Sequence, residues 1–388
     1  MNKKYIILPA FLAMAAITSN AQDSTGSKTS VGGYAEAHYH QDISMDEKIP
    51  GELDLHRVVL YVGHTFSDKL SFKSELEWEH VFEAEVEQAY FDYKFSDLIG
   101  MRAGYVLTPM GIINEYHEPP LFNGVDRPNI DRYIVPTTWR ELSAGFFGRL
   151  DKLSLKYQAY ITNGFISHKE GKTALSGEMG LREGRQEGAE SIIHSPNFAA
   201  KIDWYGISGL KVGLAGYMGN TQSDVPLSNV SNLKVASQLS YDSTVVGIKM
   251  IGVDYRYAIN GLETRGEFIY SMLSNTARFN QKDSTDLGSA MMGYYIEAGY
   301  NIMPLICMAS NQKLALFARI EEYNMHQDVE DSFVTPVNGA YNHRDFVFGA
   351  SYRPKDNFAY KFDYRLRSDA NGEELPSQVN LGVGVYFY

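Results

Sequence analysis

The sequence predicts an all-β protein, a transmembrane antiparallel β-barrel of about 16 strands with one long inward-folded constriction loop. Three observations support this fold class. Apolar and polar residues alternate along most of the chain, as in strands with one apolar and one polar face. The 27 Tyr, 20 Phe and 34 Gly suit aromatic girdles and tight turns. Short turns alternate with long polar connections, an asymmetry typical of outer-membrane barrels.

The N-terminus has the organisation of a cleaved signal peptide. Lys3 and Lys4 precede an apolar run, which ends in the small residue Ala21. The run is too short to cross a bilayer as a helix. We therefore expect residues 1–21 to be removed on export, and residues 22–30 to form a polar linker with nothing to bury.

Composition excludes several classes of protein. The formal net charge is -12, and removal of the two signal-peptide lysines makes it more negative, which argues against a nucleic-acid partner. Cys307 is the only cysteine, so an intramolecular disulfide is excluded. No later segment approaches eighteen consecutive apolar residues, which excludes helical membrane spans. No motif calls for a cofactor, and we expect none.

The barrel domain is predicted to cover residues 31–388, and its first strand has period two from Val31. Its polar face carries Glu36, His38 and His40. Because imidazole is a common metal ligand, this face has two interpretations, a metal site or a water-facing wall. We favour the wall and predict no metal site.

The next hairpin has the clearest alternation. Apolar residues at 58, 60 and 62 and at 72, 76 and 78 oppose a second face that carries Lys73, Glu75, Glu77 and Glu79. A row of charges needs water, whereas the apolar face needs an apolar environment. A soluble sandwich would satisfy both only with a second packed layer. The same division recurs along the whole chain, which favours a barrel in a membrane.

Further strands follow from the same pattern. They are predicted at about 88–95, 101–105, 142–146, 153–162, 197–206, 209–219, 244–258, 261–273, 290–302, 312–323, 344–353, 357–368 and 377–388. The glycine-rich segment 163–194 between two of them is interpreted as a mobile external loop. The last strand ends in Tyr386-Phe387-Tyr388, and a terminal aromatic residue is typical of strands read by the barrel-assembly machinery of the outer membrane.

A long connection interrupts the pattern at residues 109–140. Its five prolines prevent ladder pairing through most of its length. Apolar residues such as Ile112, Ile134 and Trp139 argue against disorder and predict that it packs on a surface. A connection of this length and composition is expected to have a function.

Several segments together resemble Bacteroidetes-type outer-membrane porins related to the phosphate-selective porin O/P group. The residues that carry the resemblance are ELDLHRVVLYVGHTFSDKLSFKSELEWEH, VEQAYFDYKF, RAGYVLTPMGIINEYHEPPLFNGVDRPNIDRYIVPTTWRELSAGFFG and GVDYRYAINGLETRGEFIY. The resemblance implies a sixteen-stranded barrel, often a homotrimer, in which the long connection folds inward. It also implies phosphate as a solute.

The leading prediction is a passive diffusion channel in the cell outer membrane for small polar or ionic solutes. Its constriction is predicted to be formed by Glu115, His117, Asp126, Arg127, Asp131, Arg132, Arg140 and Glu141. Its wall is predicted to include Arg57, Lys73, Glu75, Glu77 and Arg102. The carboxylates of the long connection outnumber its arginines, whereas a phosphate site needs converging arginines or lysines without competing carboxylates. The three arginines, Arg127, Arg132 and Arg140, have an alternative use in neutralising Asp126, Asp131 and Glu141.

Two other functions stay open at this point. One is a non-conducting structural or adhesive barrel that the long connection plugs. The other is an outer-membrane barrel enzyme, although the chain contains no Gly-x-Ser-x-Gly nucleophile elbow and we expect no catalytic activity. The expected partners are outer-membrane lipid, the barrel-assembly machinery and small polar solutes.

Overall fold

The computed structural model describes residues 28–44, 48–228, 230, 233–307, 310–372 and 374–387. The predicted signal peptide, residues 22–27 of the predicted linker and Tyr388 lie outside this range. The remaining linker residues, 28–30, belong to the first strand. They pair with β2 residues 63–65, so the sheet begins three residues before the predicted start.

Sixteen of the described strands form a closed antiparallel barrel, which confirms the predicted antiparallel barrel and its strand number. In chain order the barrel strands are β1 (Lys28–Ile43), β2 (Glu52–Thr65), β3 (Leu70–Glu79), β4 (Glu83–Lys94), β5 (Gly100–Leu107), β6 (Arg140–Leu150), β7 (Leu155–Thr162), β10 (Asn197–Ile207), β11 (Leu210–Asn220), β13 (Gly247–Ile259), β14 (Leu262–Ser274), β15 (Ala290–Asn301), β16 (Lys313–Asp328), β17 (Asn342–Lys355), β18 (Phe358–Asp369) and β19 (Glu374–Phe387). Each pairs with the next along the chain, and β1 pairs with β19 to close the ring.

The two faces of the barrel wall differ in polarity. On β10, Phe198 and Ile202 are each 49% exposed, whereas Lys201 and Asp203 between and beside them are buried. The other strands also alternate exposed apolar side chains with buried ones, and most of the buried charged side chains lie on this second face. A closed barrel buries its inner face, so the charged side chains point inward. The wall is therefore apolar outside, and its inner face carries the charged residues together with a set of buried apolar ones.

Short helices and a second small sheet lie in the long connections. The helices are α1 (Ile130–Tyr133), α2 (Lys234–Asp242), α3 (Thr276–Asp283) and α4 (Met303–Ile306), and the small sheet contains β8 (Ile166–Lys169), β9 (Lys172–Thr173) and β12 (Gln222–Ser223). None of the helices in the described part of the chain has the length and apolarity needed to cross a bilayer.

Two connections differ from their predictions. Segment 163–194, interpreted above as a loose external loop, carries β8 and β9 and buries Phe165, Leu175 and Leu181 in the main hydrophobic cluster. The prediction failed because glycines and charged residues dominate the composition of the segment, while only a few apolar residues fix it to the cluster. The connection between β3 and β4, predicted to be long, has only three residues, 80–82.

Candidate functional site

The connection between β5 and β6, residues 108–139, is held by carboxylates of distant strands. These carboxylates lie on the buried polar face of β14, β16 and β18. Three backbone N–H groups of the connection donate to them, Ile112 to Glu267 (2.7 Å), Val125 to Asp363 (2.6 Å) and Asn129 to Glu321 (2.8 Å).

Two buried lysines bind carbonyl groups of the same connection. The Lys201 ammonium on β10 donates to the carbonyl oxygen of Gly111 at 2.6 Å. The Lys361 ammonium on β18 donates to the carbonyl oxygen of Gly124 at 2.8 Å. Because the connection lacks a neighbouring strand, these side chains satisfy backbone groups that would otherwise be buried without partners.

The apolar residues of the connection pack into the main hydrophobic cluster. Trp139 is fully buried and stacks on Phe165, with ring centroids 4.7 Å apart. Its indole N–H donates to Glu141 at 2.9 Å. Ile130 and Ile134 of α1 lie in the same cluster. The connection is therefore an ordered element, with an apolar side as well as a polar one.

Glu115 and His117 lie in buried ionic contacts. The Glu115 carboxylate is 2.8 Å from the Lys201 ammonium. Burial alone would raise the pKa of Glu115, but the charge of Lys201 outweighs it and lowers the pKa to about 2. His117 lies 3.4 Å from Glu87. Burial alone would lower the pKa of His117, but the Glu87 charge raises it to about 9.

Four predicted constriction residues, Asp126, Arg127, Asp131 and Arg132, line one cavity of about 900 Å³. Asp126 is paired with Arg365 at 3.5 Å. Loss of water would raise the pKa of Asp126, but the charge of Arg365 lowers it. Burial, and then the charge of Glu267, raise the pKa of Asp131 well above its ordinary value.

The other two predicted constriction residues lie at the start of β6, away from this cavity. Arg140 is buried, donates to the Tyr105 hydroxyl at 3.0 Å and forms an ion pair with Glu85. Glu141 is buried against Trp139. In the described part of the chain, none of the three arginines lies within ion-pair distance of Asp126, Asp131 or Glu141. Asp126 pairs with Arg365 of the wall instead, and Arg140 pairs with Glu85.

The predicted wall residues are placed in four environments. Arg57 lines the cavity and pairs with Glu36 at 2.9 Å and with Glu77 at 3.1 Å. Arg102 forms a bidentate pair with Asp92, at 2.7 and 2.9 Å. Glu75 lies near Glu87 and His117, whereas Lys73 is exposed towards the short-turn end of β3.

The cavity has a mixed but acidic lining. Eleven carboxylates, seven arginines and five histidines line it, without any lysine among the described lining residues. Part of this lining comes from residues 178–187, in the segment that was predicted to be an external loop. Rows of opposite charge orient water and polar solutes, while an excess of one sign biases the passage of ions.

A cluster of four histidines, which the sequence did not predict, lines the cavity. His38 stacks on His56 at 4.7 Å between ring centroids, His40 lies 5.6 Å from His38, and His80 lies 5.3 Å from His56. Only His38 and His40 share a strand. Their spacing of two residues, which puts both on one face, was the only feature of the sequence that could have indicated the cluster. His56 and His80 join them through the pairing of β1 with β2 and of β2 with β3.

No protein-family model matches the chain. An "Uncharacterized protein" of Aquifex aeolicus (strain VF5) is 34% identical over 362 residues, which cover 88% of this chain and 76% of that protein.

Three solved structures share the barrel fold at low sequence identity. The outer-membrane channel DcaP of Acinetobacter baumannii has a TM-score of 0.61 at 11% identity, covering 94% of this chain and 99% of that one. The anion-selective porin from Comamonas acidovorans has a TM-score of 0.56 at 11% identity, covering 93% and 99%. The trimer form of OmpT of Vibrio cholerae has a TM-score of 0.53 at 10% identity, covering 93% and 99%. These likenesses concern the fold, whereas the identity with the Aquifex protein is high enough to show kinship. The chain therefore belongs to the same protein family as this Aquifex aeolicus protein.

Proposed function

We propose that the chain is an outer-membrane porin, a passive diffusion channel for small polar or ionic solutes. The observation that carries this proposal is the closed sixteen-stranded wall, apolar outside, around a polar cavity of about 900 Å³. An apolar belt suits lipid, and a polar interior suits water and solutes. The fold shared with channels and porins of the outer membrane supports the same assignment.

In this proposal, residues 109–140 fold into the barrel and narrow it. Support comes from the hydrogen bonds between this connection and the polar face of β10, β14, β16 and β18. The cavity then lies above the narrowed region, on the side of the long connections. Asp126, Arg127 and Arg132 are the predicted constriction residues with the best access to passing solutes.

The excess of carboxylates in the cavity favours cations over anions. This charge balance argues against phosphate, the solute implied by the resemblance to the phosphate-selective porin O/P group, and the relation to that group stays a prediction. A homotrimer is also a prediction, supported by the trimer form of the similarly folded OmpT.

Planar-bilayer recording tests the proposal. Purified mature protein should insert as stepwise ohmic conductances, and a KCl gradient should give a reversal potential of the sign for cation preference. Heat-denatured protein at the same detergent concentration is the control.

A plugged, non-conducting barrel is the second candidate. It is favoured by the main hydrophobic cluster, in which the long connection packs against β10, β11, β13, β14, β15 and β16. Absence of conductance from folded protein would establish this candidate and overturn the channel.

A further inference from the structure

The cavity brings two histidines of β1 together with an aspartate of the long connection. The Nδ1 atom of His38 lies 3.9 Å from Oδ1 of Asp126, and the Nε2 atom of His40 lies 3.6 Å from the same oxygen. The three potential ligand atoms all lie within 4.8 Å of one another. His38 and His40 share a face because alternate strand residues point the same way.

The other nitrogen of each ring is already engaged. His38 Nε2 lies 3.2 Å from a carboxylate oxygen of Glu36, and His40 Nδ1 lies 2.8 Å from the side-chain oxygen of Asn380. Both partners are acceptors, so each of these ring nitrogens carries the proton and donates. The nitrogens that face Asp126 then present lone pairs. An acceptor behind each imidazole is the arrangement that orients histidines bound to metals.

Asp126 is held in place by groups on both sides of it. Arg365 lies 3.5 Å from Oδ2, which leaves Oδ1 directed at the two histidines. The preceding residue, Val125, donates its N–H to Asp363, and the Asp126 carbonyl accepts a hydrogen bond from Arg319 at 3.3 Å. The carboxylate is thus positioned without help from the histidines.

We propose that His38, His40 and Asp126 bind a divalent first-row transition metal ion, of which Zn²⁺ is the test case. Bonds of about 2.0–2.2 Å in a tetrahedral site place ligand atoms closer together than the distances above, so the three side chains must contract around a bound ion. The side chains of His40 and Asp126 are 24% and 28% exposed, which gives the ion a route from the cavity. Three protein ligands leave a fourth position for water or a solute.

The nitrogen donors set the selectivity of this site. Imidazole suits Zn²⁺, Ni²⁺ and Cu²⁺, whereas Ca²⁺ and Mg²⁺ prefer oxygen ligands. The positive charge of Arg365 weakens the attraction for every cation. Binding therefore depends on the two imidazoles, and Mg²⁺ is not expected to compete.

A neighbouring group of similar composition is less suitable. Asp54 Oδ2 lies 3.1 Å from His56 and 2.8 Å from His80. Arg57 donates to His56 Nε2 at 2.8 Å, so the other nitrogen of this ring carries the proton and donates to Asp54. His56 thus has no lone pair free for a metal.

Calorimetric titration of the full mature chain in detergent with ZnCl₂ at pH 7.5 tests the proposal. We expect one Zn²⁺ per chain, with affinity unchanged by excess Mg²⁺. His40→Ala and Asp126→Asn should each weaken binding at least about tenfold, as expected for a lost ligand. His80→Ala is the matched control, because it removes an imidazole of the neighbouring group, and it should leave the affinity unchanged.

Two results would overturn the site. One is the absence of saturable binding to the wild-type chain, and the other is an affinity that falls in His80→Ala but not in His40→Ala. Far-UV circular dichroism checks that each variant is folded. If either ligand variant is misfolded, Co²⁺ added to the wild-type chain is the deciding measurement. Tetrahedral coordination by nitrogen and oxygen gives Co²⁺ strong d–d bands in the visible range, whereas free Co²⁺ in water gives only weak ones. Strong bands support the site, and their absence overturns it. Neither measurement requires the barrel to conduct, so this proposal and the channel proposal can fail separately.

Discussion

Two glycines of β19 let the long connection approach the wall closely. A Cβ atom added at Gly384 would lie 2.4 Å from Cβ of Pro119, and one at Gly382 would lie 3.0 Å from Cγ1 of Val125. Pro119 begins a short 3₁₀ turn in the connection. The side chains of this part of β19 are thus replaced by those of the connection, which explains glycine at alternate positions of a strand.

The substitution Gly384→Ala should loosen the connection around Pro119. The added methyl group must displace a proline ring, and overpacking of this kind costs about 1–3 kcal/mol. Hydrogen–deuterium exchange of the peptides that contain residues 118–126 should accelerate by about tenfold for each 1.4 kcal/mol lost.

Gly216→Ala on β11 is the control for this substitution. The nearest atom to its added Cβ, a backbone oxygen of Met250, is 3.7 Å away, an ordinary contact. Equal exchange in the two variants would mean that Gly384 is not required for close packing.

A β-bulge in β4 places Glu87 in contact with the long connection. The register between β3 and β4 shifts at Glu75, so that Glu87 is the extra residue of β4. Glu87 and Gln88, although consecutive, are both buried. A bulge redirects side chains in this way. It aims Glu87 at His117, and the rest of β4 keeps its alternation.

The pair of His117 with Glu87 should make the docking of the connection depend on pH. Arg127, Glu118 and Glu75 also act on this imidazole or its partner. The pKa of His117 rises from 6.5 to about 9 on folding, so its contribution to stability is complete below pH 6.5 and is lost as the pH rises through 9.

The variant His117→Gln tests this contact. At pH 7 it should lower stability by about 3–5 kcal/mol, the usual cost of removing one partner of a buried ion pair. The difference in thermal midpoint from wild type should shrink between pH 7 and pH 10. His64→Gln, near the short turn that follows β2, is the control and should show no such trend. A difference in thermal midpoint that stays constant to pH 10 would contradict the raised pKa of His117.

The elements differ in how far the sequence predicts them. Alternation predicts sixteen strands because each has one face in an apolar environment and one in a polar environment. The bulge at Glu87 was not predicted, since one extra residue leaves local composition unchanged. The partners of Asp126 and Glu115 were also missed. Arg365 and Lys201 lie far away in sequence, and only the closure of the barrel brings them near.

The interior of the barrel is divided between a hydrophobic cluster on one side and the acidic cavity on the other. The main hydrophobic cluster covers the inner side of β10, β11, β13, β14, β15 and β16. The acidic cavity lies towards β1, β2, β3, β17 and β18. Any route for solutes therefore runs eccentrically along the β1 side, past the histidine cluster and Asp126. Selectivity should be set by charges on that side.

Neutralising carboxylates on the cavity side should reduce the preference for cations. Glu52, Glu83 and Glu178 line the cavity and are exposed. Their triple change to Gln leaves eight carboxylates against seven arginines in the lining. The reversal potential in a KCl gradient should therefore move close to zero, because near-balanced charge gives little ion selection.

The matched control removes three charges at the opposite end of the barrel. Asp68, Asp97 and Asp356 lie in the short turns after β2, β4 and β17, away from the cavity. Their triple change to Asn alters the net charge of the chain equally, yet it should leave the reversal potential at the wild-type value because salt screens distant exposed charges. If both triple variants shift the reversal potential by the same amount, the overall charge of the molecule sets the preference, and the cavity does not act as the filter.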